Sequence, residues 1–393
     1  MEATEIRAAG RLAGNAVAGL GALVRDMHRA IAARSFDVVG PGAAPVRAIH
    51  DGVSTAVYAG VRGALAALPR AGGAALAVSS AAGAPRLADS PRGSLALGAL
   101  NAAVGDVLGE RDDPLALRMT LRRNGRDLED PPADASPRIA LFVHGLGETD
   151  AAWRLTPSRG PGYGPLLERE LGHSALYLRY NTGLHISANA RELSGMLEEL
   201  VEAWPVPVEE IVLVGHSMGG LVVRGALRRG EEDGRRWTGA ARHAFCLGSP
   251  HLGAPLEKGA NVLGWALGRL PETRPFARIV NGRSAGIKDL RYGACVEADW
   301  RDCDPDELLR DRCCEVPFLD TCSYYFVGAT LGDGPVGSAV GDLLVRVPSA
   351  SGRGRRRRIP FEVDEGCRLD GLNHFDLLNH PAVYDRIVTW LTE

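Results

Sequence analysis

Residues 210–226 read EIVLVGHSMGGLVVRGA, and this stretch decides how the chain folds. The four apolar residues 211–214 predict a buried strand. After a short turn, apolar and small residues recur at the spacing of a helix, namely at Leu221, Val222, Gly225 and Ala226. A strand that turns so sharply into a helix needs small residues at Gly215 and Gly219, and it strains the backbone of Ser217 between them. The stretch therefore predicts a nucleophile elbow that presents Ser217.

The pattern G-x-S-x-G does not select Ser217 by itself. Glycine is 49 of the 393 residues, so about 0.3 chance matches are expected. A second match occurs at residues 282–286 (GRSAG), around Ser284. It follows a short mixed segment and precedes a helical pattern that breaks after two turns, so we interpret Ser284 as a loop serine. Ser217 is selected by the strand before it and the helix after it.

The composition excludes several classes of protein. Its 45 basic and 48 acidic residues give a formal charge of −3, so no global field attracts nucleic acid or an anionic membrane. The start, MEATEIRAAG, lacks the basic end and apolar core of a signal peptide. Apolar runs between residues 8 and 83 are interrupted before they reach the ~18 residues that a membrane span needs. We therefore expect a cytoplasmic protein without a transmembrane helix.

Two regions lie outside the strand–helix pattern of the elbow. Residues 1–113 are rich in alanine and mainly helical in pattern, with amphipathic stretches around Met27 and at 53–68 and a further helix at 95–108. We interpret them as a helical packing or dimerisation domain, with a lid over the active site as the alternative. Residues 255–320 interrupt the strand–helix alternation. Such an insertion lies above the carboxyl edge of an open α/β sheet, so a cap with an apolar inner face and a stripe packed on the core both stay open.

The remaining chain, residues 114–393, has the pattern of an α/β domain. Apolar and polar residues alternate around Asn124-Gly125, which predicts a two-residue hairpin turn. Strand and helix patterns then alternate, and this predicts a mostly parallel sheet flanked by helices, with right-handed crossovers. The predicted parallel strands are residues 138–143, 174–180, 211–214, 241–247 and 324–329, and a closing helix is predicted at 383–391.

The loop after the first of these strands reads His144-Gly145-Leu146-Gly147. In acyl transfer the carbonyl oxygen becomes negative in the transition state, so backbone N–H donors must be held ready there. A flexible loop beside the elbow supplies one donor, and the residue after the serine supplies the other. We assign these donors to the N–H groups of Leu146 and Met218.

A nucleophilic serine needs an adjacent base, and the base needs a carboxylate that orients it. On an elbow of this kind the acid and the histidine follow the serine in that order, and Asp342 and His374 satisfy it. The alternative acids are Asp333, Asp370 and Asp376. The alternative bases are His380, whose place before a proline at a helix start suggests a cap, and His251, which we interpret as a positioning residue in a turn.

Five motifs occur in order: HGLG at 144–147, GHSMGG at 215–220, GSPHLGAP at 248–255, GDLLVRVPSA at 341–350 and LNHFDLLNHP at 372–381. Together they resemble the bacterial lipase and esterase branch of the α/β-hydrolase superfamily, including relatives of the glycosylphosphatidylinositol inositol-deacylases. The resemblance covers roughly residues 138–392. It implies an α/β-hydrolase fold with Ser217 as nucleophile, Asp342 as acid and His374 as base.

The chain departs from this branch at two points. Secreted lipases of the branch often have a calcium site with a carboxylate two residues after the histidine, where Asp376 stands, but no second carboxylate is recognisable. They also tend to have glycine after the acid, where this chain has Leu343. We therefore expect neither a metal ion nor a cofactor.

The sequence thus predicts a serine carboxylic ester hydrolase of the esterase or lipase type, which acts on a small-molecule ester or lipid through an acyl-enzyme. An acyltransferase with the same triad is the alternative enzyme. A catalytically inactive interaction protein is the non-enzymatic alternative. We expect no nucleic-acid partner, whereas contact with a membrane or lipid surface and a homodimer through residues 1–113 stay open.

Overall fold

The computed structural model describes residues 1–41, 44–78, 84, 86–154, 160–332, 341–354, 357–361 and 366–393. The chain divides into two compact units. The smaller unit contains Met1–Gly93, Asp112–Leu115 and Ala260–Arg283, and the larger contains Ser94–Arg111, Ala116–Gly259 and Ser284–Glu393. None of the helices in these described ranges has the length and hydropathy needed to cross a bilayer.

The larger unit is built around eight strands: β1 (Thr120–Arg123), β2 (Arg126–Asp127), β3 (Arg138–Val143), β4 (Ser174–Arg179), β5 (Glu210–His216), β6 (Ala241–Leu247), β7 (Ser323–Thr330) and β8 (Gly366–Asp370). They form one sheet in the order β2-β1-β4-β3-β5-β6-β7-β8. The β1–β2 hairpin turns at Asn124 and Gly125, whose φ angles are 52° and 79°, and β1 pairs antiparallel with β4.

The strands from β4 to β8 in this order all pair in parallel. The predicted mostly parallel sheet and the predicted hairpin are therefore confirmed. Strand β8 was not predicted, because its sequence, GCRLD, has no apolar run and its side chains are partly or largely exposed.

The helices in the described chain are α1 (Ala3–Val39), α2 (Ala44–Val78), α3 (Pro91–Glu110), α4 (Tyr163–Leu171), α5 (Ile186–Ala203), α6 (Met218–Glu232), α7 (Pro255–Leu267), α8 (Arg274–Asn281), α9 (Ala285–Asp289), α10 (Val347–Ala350) and α11 (Pro381–Thr392). Short 3-10 helices span Leu87–Asp89, Asp150–Arg154, Arg236–Gly239, Glu297–Asp299 and His374–Leu378. The predicted closing helix corresponds to α11.

Alternate side chains of β3 enter two different cores. Ile139 and Leu141 pack in one core with residues of α5 and α6, whereas Ala140 and Phe142 pack in another with residues of α4 and α11. Because successive side chains of a strand point to opposite faces, the central strand is buried on both faces. The sheet therefore lies between two helical layers, as expected for parallel strands.

The smaller unit is organised around the long helices α1 and α2, which pack against each other at small residues. A Cβ atom on Gly73 would lie 2.9 Å from the Cα of Gly10. Two ion pairs join α1 to the α7–α8 segment: Arg34 with Glu272 at 2.8 Å, and Asp26 with Arg278 at 2.7 Å. The limits of a helical region at residue 113 and of a cap at 255–320, and the role of that cap, stay predictions.

Candidate active site

Ser217 lies on the turn between β5 and α6, with φ at 53° and ψ at −121°. A positive φ is a sparsely populated conformation for a residue with a side chain, and it persists where the surroundings impose it. Here the Ser217 N–H donates a hydrogen bond to the Leu247 carbonyl oxygen at the end of β6, at 2.8 Å. The turn thus holds Ser217 at the carboxyl edge of the sheet, with its side chain partly accessible.

The glycines around Ser217 are required by close backbone contacts. A Cβ atom on Gly215 would lie 2.5 Å from the amide nitrogen of Gly220. A Cβ atom on Gly219 would collide with the carbonyl oxygen of Val143 at the end of β3. The small residues at these two positions therefore let β5, α6 and β3 approach one another.

His374 and Asp342 form a buried pair after β8 and β7. His374 Nδ1 lies 2.7 Å from Asp342 Oδ2, and the side chains are 3% and 1% exposed. The other carboxylate oxygen, Oδ1, accepts hydrogen bonds from the N–H groups of Leu344 at 3.0 Å and Val345 at 2.7 Å. The His374 N–H also donates to the Asp342 carbonyl oxygen at 3.2 Å. Backbone donors thus fix the carboxylate, and the carboxylate orients the imidazole.

This pair lies beside the residues that flank the elbow. His216, which precedes Ser217, has Nε2 3.1 Å from the carbonyl oxygen of His374, and the two rings are 4.7 Å apart. A Cβ atom on Gly248, which follows Leu247, would lie 3.1 Å from His374 Cε1. His374 Nε2 is buried and has no hydrogen-bond partner among the described residues. The imidazole therefore keeps one nitrogen unpaired next to the elbow.

The alternative acids in the described chain bond elsewhere. Asp370 accepts hydrogen bonds from Thr330 Oγ1 at 2.6 Å and Arg368 Nε at 2.7 Å. Asp376 accepts from the N–H of Asn373, which caps the 3-10 helix at His374. Asp333 lies outside the described residues. Of the described candidates, the structure brings Asp342 to His374 Nδ1.

The alternative bases and the second serine have other contacts. His380 caps α11, where its Nδ1 accepts from the N–H of Ala382 at 3.2 Å. His251 is buried, with Nδ1 3.1 Å from a guanidinium nitrogen of Arg224. Ser284 is buried at the start of α9, where its hydroxyl donates to the Ala102 carbonyl oxygen at 2.5 Å.

Leu343, the residue after Asp342, has a φ of 86°. This left-handed conformation favours glycine, and related lipases tend to have glycine at this position. The Leu343 side chain is 65% exposed, so burial does not offset the strain. Asp342 is therefore followed by a leucine in a strained backbone conformation.

The HGLG loop lies against the elbow. A Cβ atom on Gly145 would lie 2.9 Å from Ser217 Cβ. Tyr180 OH donates to the His144 carbonyl oxygen at 2.7 Å, and the Gly147 N–H donates to Thr182 Oγ1 at 3.3 Å. The N–H groups of Leu146 and Met218 have no hydrogen-bond partner among the residues that the structure describes. Neither predicted donor is therefore committed to another group of the described chain.

A buried ion pair joins this loop to the elbow, and the sequence did not reveal it. Glu148 Oε2 lies 3.0 Å from His216 Nδ1 and accepts the Gly145 N–H at 2.7 Å. Burial opposes the charge on both groups. Their attraction nevertheless raises the pKa of His216 and lowers the pKa of Glu148 from their ordinary values. A charged His216 donates from both ring nitrogens, one to Glu148 and one to the His374 carbonyl.

Helix α3 also reaches this region, although its sequence has no site-like pattern. A Cβ atom on Gly98 would lie 2.6 Å from the carbonyl oxygen of Gly147. Asn181 Nδ2 donates to the carbonyl oxygen of Gly105 at 2.8 Å. The small residues Gly98, Ala102 and Gly105 recur at helical spacing, and this spacing was the available signal for a close approach.

Residues 138–266 match the family model described as the PGAP1-like alpha/beta domain. The match begins at β3 and includes the HGLG loop, the elbow and β6. The larger unit thus has an α/β-hydrolase fold. The hydrolase fold agrees with the parallel sheet between two helical layers and with the strand–serine–helix turn at a strand end. The predicted relationship to the α/β-hydrolase superfamily is therefore confirmed, and three of the five motifs lie within the matched residues.

Several solved structures are similar to about 70% of this chain. The mature lipase BlEst2 of Bacillus licheniformis has a TM-score of 0.43 and 17% identity, with 70% of this chain and 97% of that chain covered. A lipase-esterase related protein of Clostridium acetobutylicum has a TM-score of 0.36 and 16% identity, with 70% of this chain and 98% of that chain covered. A thermophilic esterase of Thermogutta terrifontis has a TM-score of 0.37 and 13% identity, with 70% of this chain and 93% of that chain covered. None of the curated proteins matches this sequence.

Proposed function

We propose that this protein is a serine carboxylic ester hydrolase that acts on a small-molecule ester or lipid. The observation that carries the proposal is the convergence on one sheet edge of a strained, accessible serine and a buried His374–Asp342 pair at 2.7 Å with Nε2 unpaired. Nucleophilic catalysis by serine needs these three groups: the serine as nucleophile, the histidine as base and the carboxylate that orients the histidine.

In the first half-reaction, Ser217 Oγ attacks the ester carbonyl carbon and His374 Nε2 takes the hydroxyl proton. Asp342 stabilises the resulting imidazolium through the Nδ1 hydrogen bond. The N–H groups of Leu146 and Met218 donate to the oxyanion of the tetrahedral intermediate. The carbon–oxygen bond to the alcohol then breaks, His374 protonates the departing alcohol, and the acyl group stays on Ser217.

In the second half-reaction, water replaces the alcohol. His374 takes a proton from the water as its oxygen attacks the acyl carbon, and the same two N–H groups stabilise the second tetrahedral intermediate. When that intermediate collapses, His374 returns the proton to Ser217 and the carboxylic acid leaves. The steps consume one water and require neither a metal ion nor a cofactor.

The Glu148–His216 pair has a positioning role in this mechanism. Glu148 holds the Gly145 N–H, and so fixes the loop that carries Leu146. His216 donates to the backbone of His374 and precedes the nucleophile. Because oxyanion donors act through their preorganised positions, a pair that fixes the loop, the elbow and the base together supports the transition state without touching the substrate.

The test compares the two serines that share the G-x-S-x-G pattern. Ser217→Ala is expected to lower hydrolysis of a short-chain nitrophenyl ester by a factor on the order of 10⁴ or more and to abolish labelling by a fluorophosphonate probe. Ser284→Ala is the matched control and should keep both, since Ser284 is buried and bonded to α3. Labelled Ser217→Ala protein with retained hydrolysis would refute the proposal.

Asp342→Asn separates the orienting carboxylate from the alternatives. The change keeps the shape of the side chain but favours the wrong tautomer of His374, so kcat should fall by about 10⁴. Asp370→Asn, at one of the alternative acids, should leave kcat unchanged. Product analysis in the presence of an added alcohol tests for acyl transfer, since a transferase would yield the new ester in place of the free acid.

A further inference from the structure

Helix α2 has an apolar face that its partner helix leaves uncovered. Eight large apolar residues of α2 are at least 47% exposed, Leu76 and Val78 among them, and the other six form a row: Val46, Ile49, Val53, Val57, Val61 and Leu68. They follow one another at intervals of three, four or seven residues, so they lie on one face of the helix over about six turns. The buried residues Ala66 and Ala77 lie on the opposite side of the helix. Monomeric soluble proteins rarely expose such a continuous apolar row.

The unit that contains this face is strongly basic. Residues 1–93, 112–115 and 260–283 have 14 arginines against nine acidic residues, a formal charge of +5, although the whole chain has −3. Arg29 and Arg70 donate to Thr55 and Asn15. In the described chain, none of Arg29, Arg62 and Arg70 has an acidic partner within ion-pair distance. The unit that contains the apolar row therefore has a net positive charge.

Helix α7 adds an amphipathic aromatic residue to the same unit. Trp265 is 40% exposed, and the Arg269 guanidinium lies 3.9 Å from the centre of its ring. Leu263 and Leu270, on either side in the sequence, are also more than half exposed. Tryptophan and arginine both combine an apolar body with a polar tip, and such residues are favoured where an apolar phase meets water.

We propose that the apolar face of α2 docks on an anionic lipid surface. An amphipathic helix binds such a surface by burying its apolar face at the boundary of headgroups and acyl chains, and nearby basic residues are attracted to anionic headgroups. The formal charge of +5 complements this surface. A second copy of the chain would place another unit of the same charge against it, and like charges oppose that contact. The proposal does not depend on the proposed hydrolase activity.

The experiment measures binding of the full chain to vesicles of phosphatidylcholine with and without phosphatidylglycerol by flotation. Wild-type protein should float with the anionic vesicles, and binding should weaken by several-fold when salt is raised, because screening reduces the electrostatic attraction. The variant Val53→Gln/Val57→Gln/Leu68→Gln should lose at least tenfold in affinity. Arg29→Gln/Arg62→Gln/Arg70→Gln should lose several-fold on anionic vesicles at low salt.

Leu68 and Leu256 provide a matched pair of controls, since each is 73% exposed and only Leu68 belongs to the apolar row. Leu68→Gln alone should weaken vesicle binding, whereas Leu256→Gln should bind as wild type does, and both should keep the wild-type melting curve. The comparison of Leu68→Gln with Leu256→Gln also tests the proposal if the triple variant fails to fold. Absence of wild-type binding to anionic vesicles overturns the proposal, as does a dimer in sedimentation that the Leu68→Gln change dissociates without any effect of vesicles.

Discussion

Helices α6 and α2 are both rich in glycine and small apolar residues, but they use them differently. In α6 a side chain on Gly219 would collide with the backbone of β3, and most of the helix is buried beside the sheet. In α2 a side chain on Gly60 would meet no atom within 4 Å, and the valines around it are exposed. Small residues in α6 are therefore required by neighbouring backbone, whereas α2 keeps an open face with no neighbour in its own unit.

The largest expected effect that sharpens this comparison is on stability at Gly219. Gly219→Ala should lower the free energy of unfolding by about 3 kcal/mol, because the new methyl group meets a carbonyl oxygen that belongs to a central strand. Hydrolysis should fall with it, since the elbow must move. Gly60→Ala is the matched control. It should raise stability by roughly 0.5–1 kcal/mol, because alanine fits the helix better than glycine and the added methyl meets open space.

Chemical denaturation followed by circular dichroism measures both changes. A destabilising Gly60→Ala would mean that the face of α2 is covered by something within the folded chain. A neutral Gly219→Ala would mean that α6 can retreat from β3 without cost, and the close approach of elbow and loop would then lose its structural importance.

An intermediate effect is expected at the ion pair between the loop and the elbow. Glu148→Gln keeps an acceptor for the Gly145 N–H but removes the charge that raises the pKa of His216, so kcat should fall about 10–100-fold with little change in KM. The exposed carboxylate of Glu202 offers a control, and Glu202→Gln should leave kcat unchanged.

The same variant gives a pH signature. The folded pKa of His216 is raised, so its contribution to stability is complete below its unfolded value and is lost as the pH rises through the raised pKa. The folded pKa of Glu148 is lowered, so its contribution is present above its unfolded value and is lost as the pH falls through the lowered pKa. The wild-type protein should therefore lose the stability of this pair below the ordinary pKa of a glutamate and above the ordinary pKa of a histidine. If Glu148→Gln shows the same pH dependence of unfolding, the pair is not the cause.

The smallest expected effect is at Leu343. A leucine at positive φ is strained by about 1–2 kcal/mol. Glycine removes this strain, but its larger loss of chain entropy on folding costs roughly 0.5–1 kcal/mol. Leu343→Gly should therefore raise the free energy of unfolding by up to about 1 kcal/mol and leave hydrolysis within a factor of about two. A large loss of activity would show that the leucine itself supports the Asp342 carboxylate.

The fold was largely predictable from local patterns. The parallel strands β3 to β7 have apolar runs that are buried on both faces, and Asn124-Gly125 permits the positive φ angles of a tight hairpin. Strand β8 was missed because a short, partly exposed edge strand needs no apolar run. The contacts of α3 with the HGLG loop were not predicted, because the spacing of Gly98, Ala102 and Gly105 does not say which neighbour approaches them.

The sequence by itself predicted the type of chemistry, from a serine between two glycines, a strand before it, a helix after it, and an acid and a histidine later in the chain. Those features are local, because a sharp turn restricts which residues the backbone tolerates. The tertiary structure decided which groups meet. Asp342 reaches His374 across 32 positions, and Glu148 reaches His216 across 68. Such pairs depend on the order of the strands in the sheet, which brings strand ends that are distant in sequence to one edge. Packing around that edge then excludes water from the paired groups.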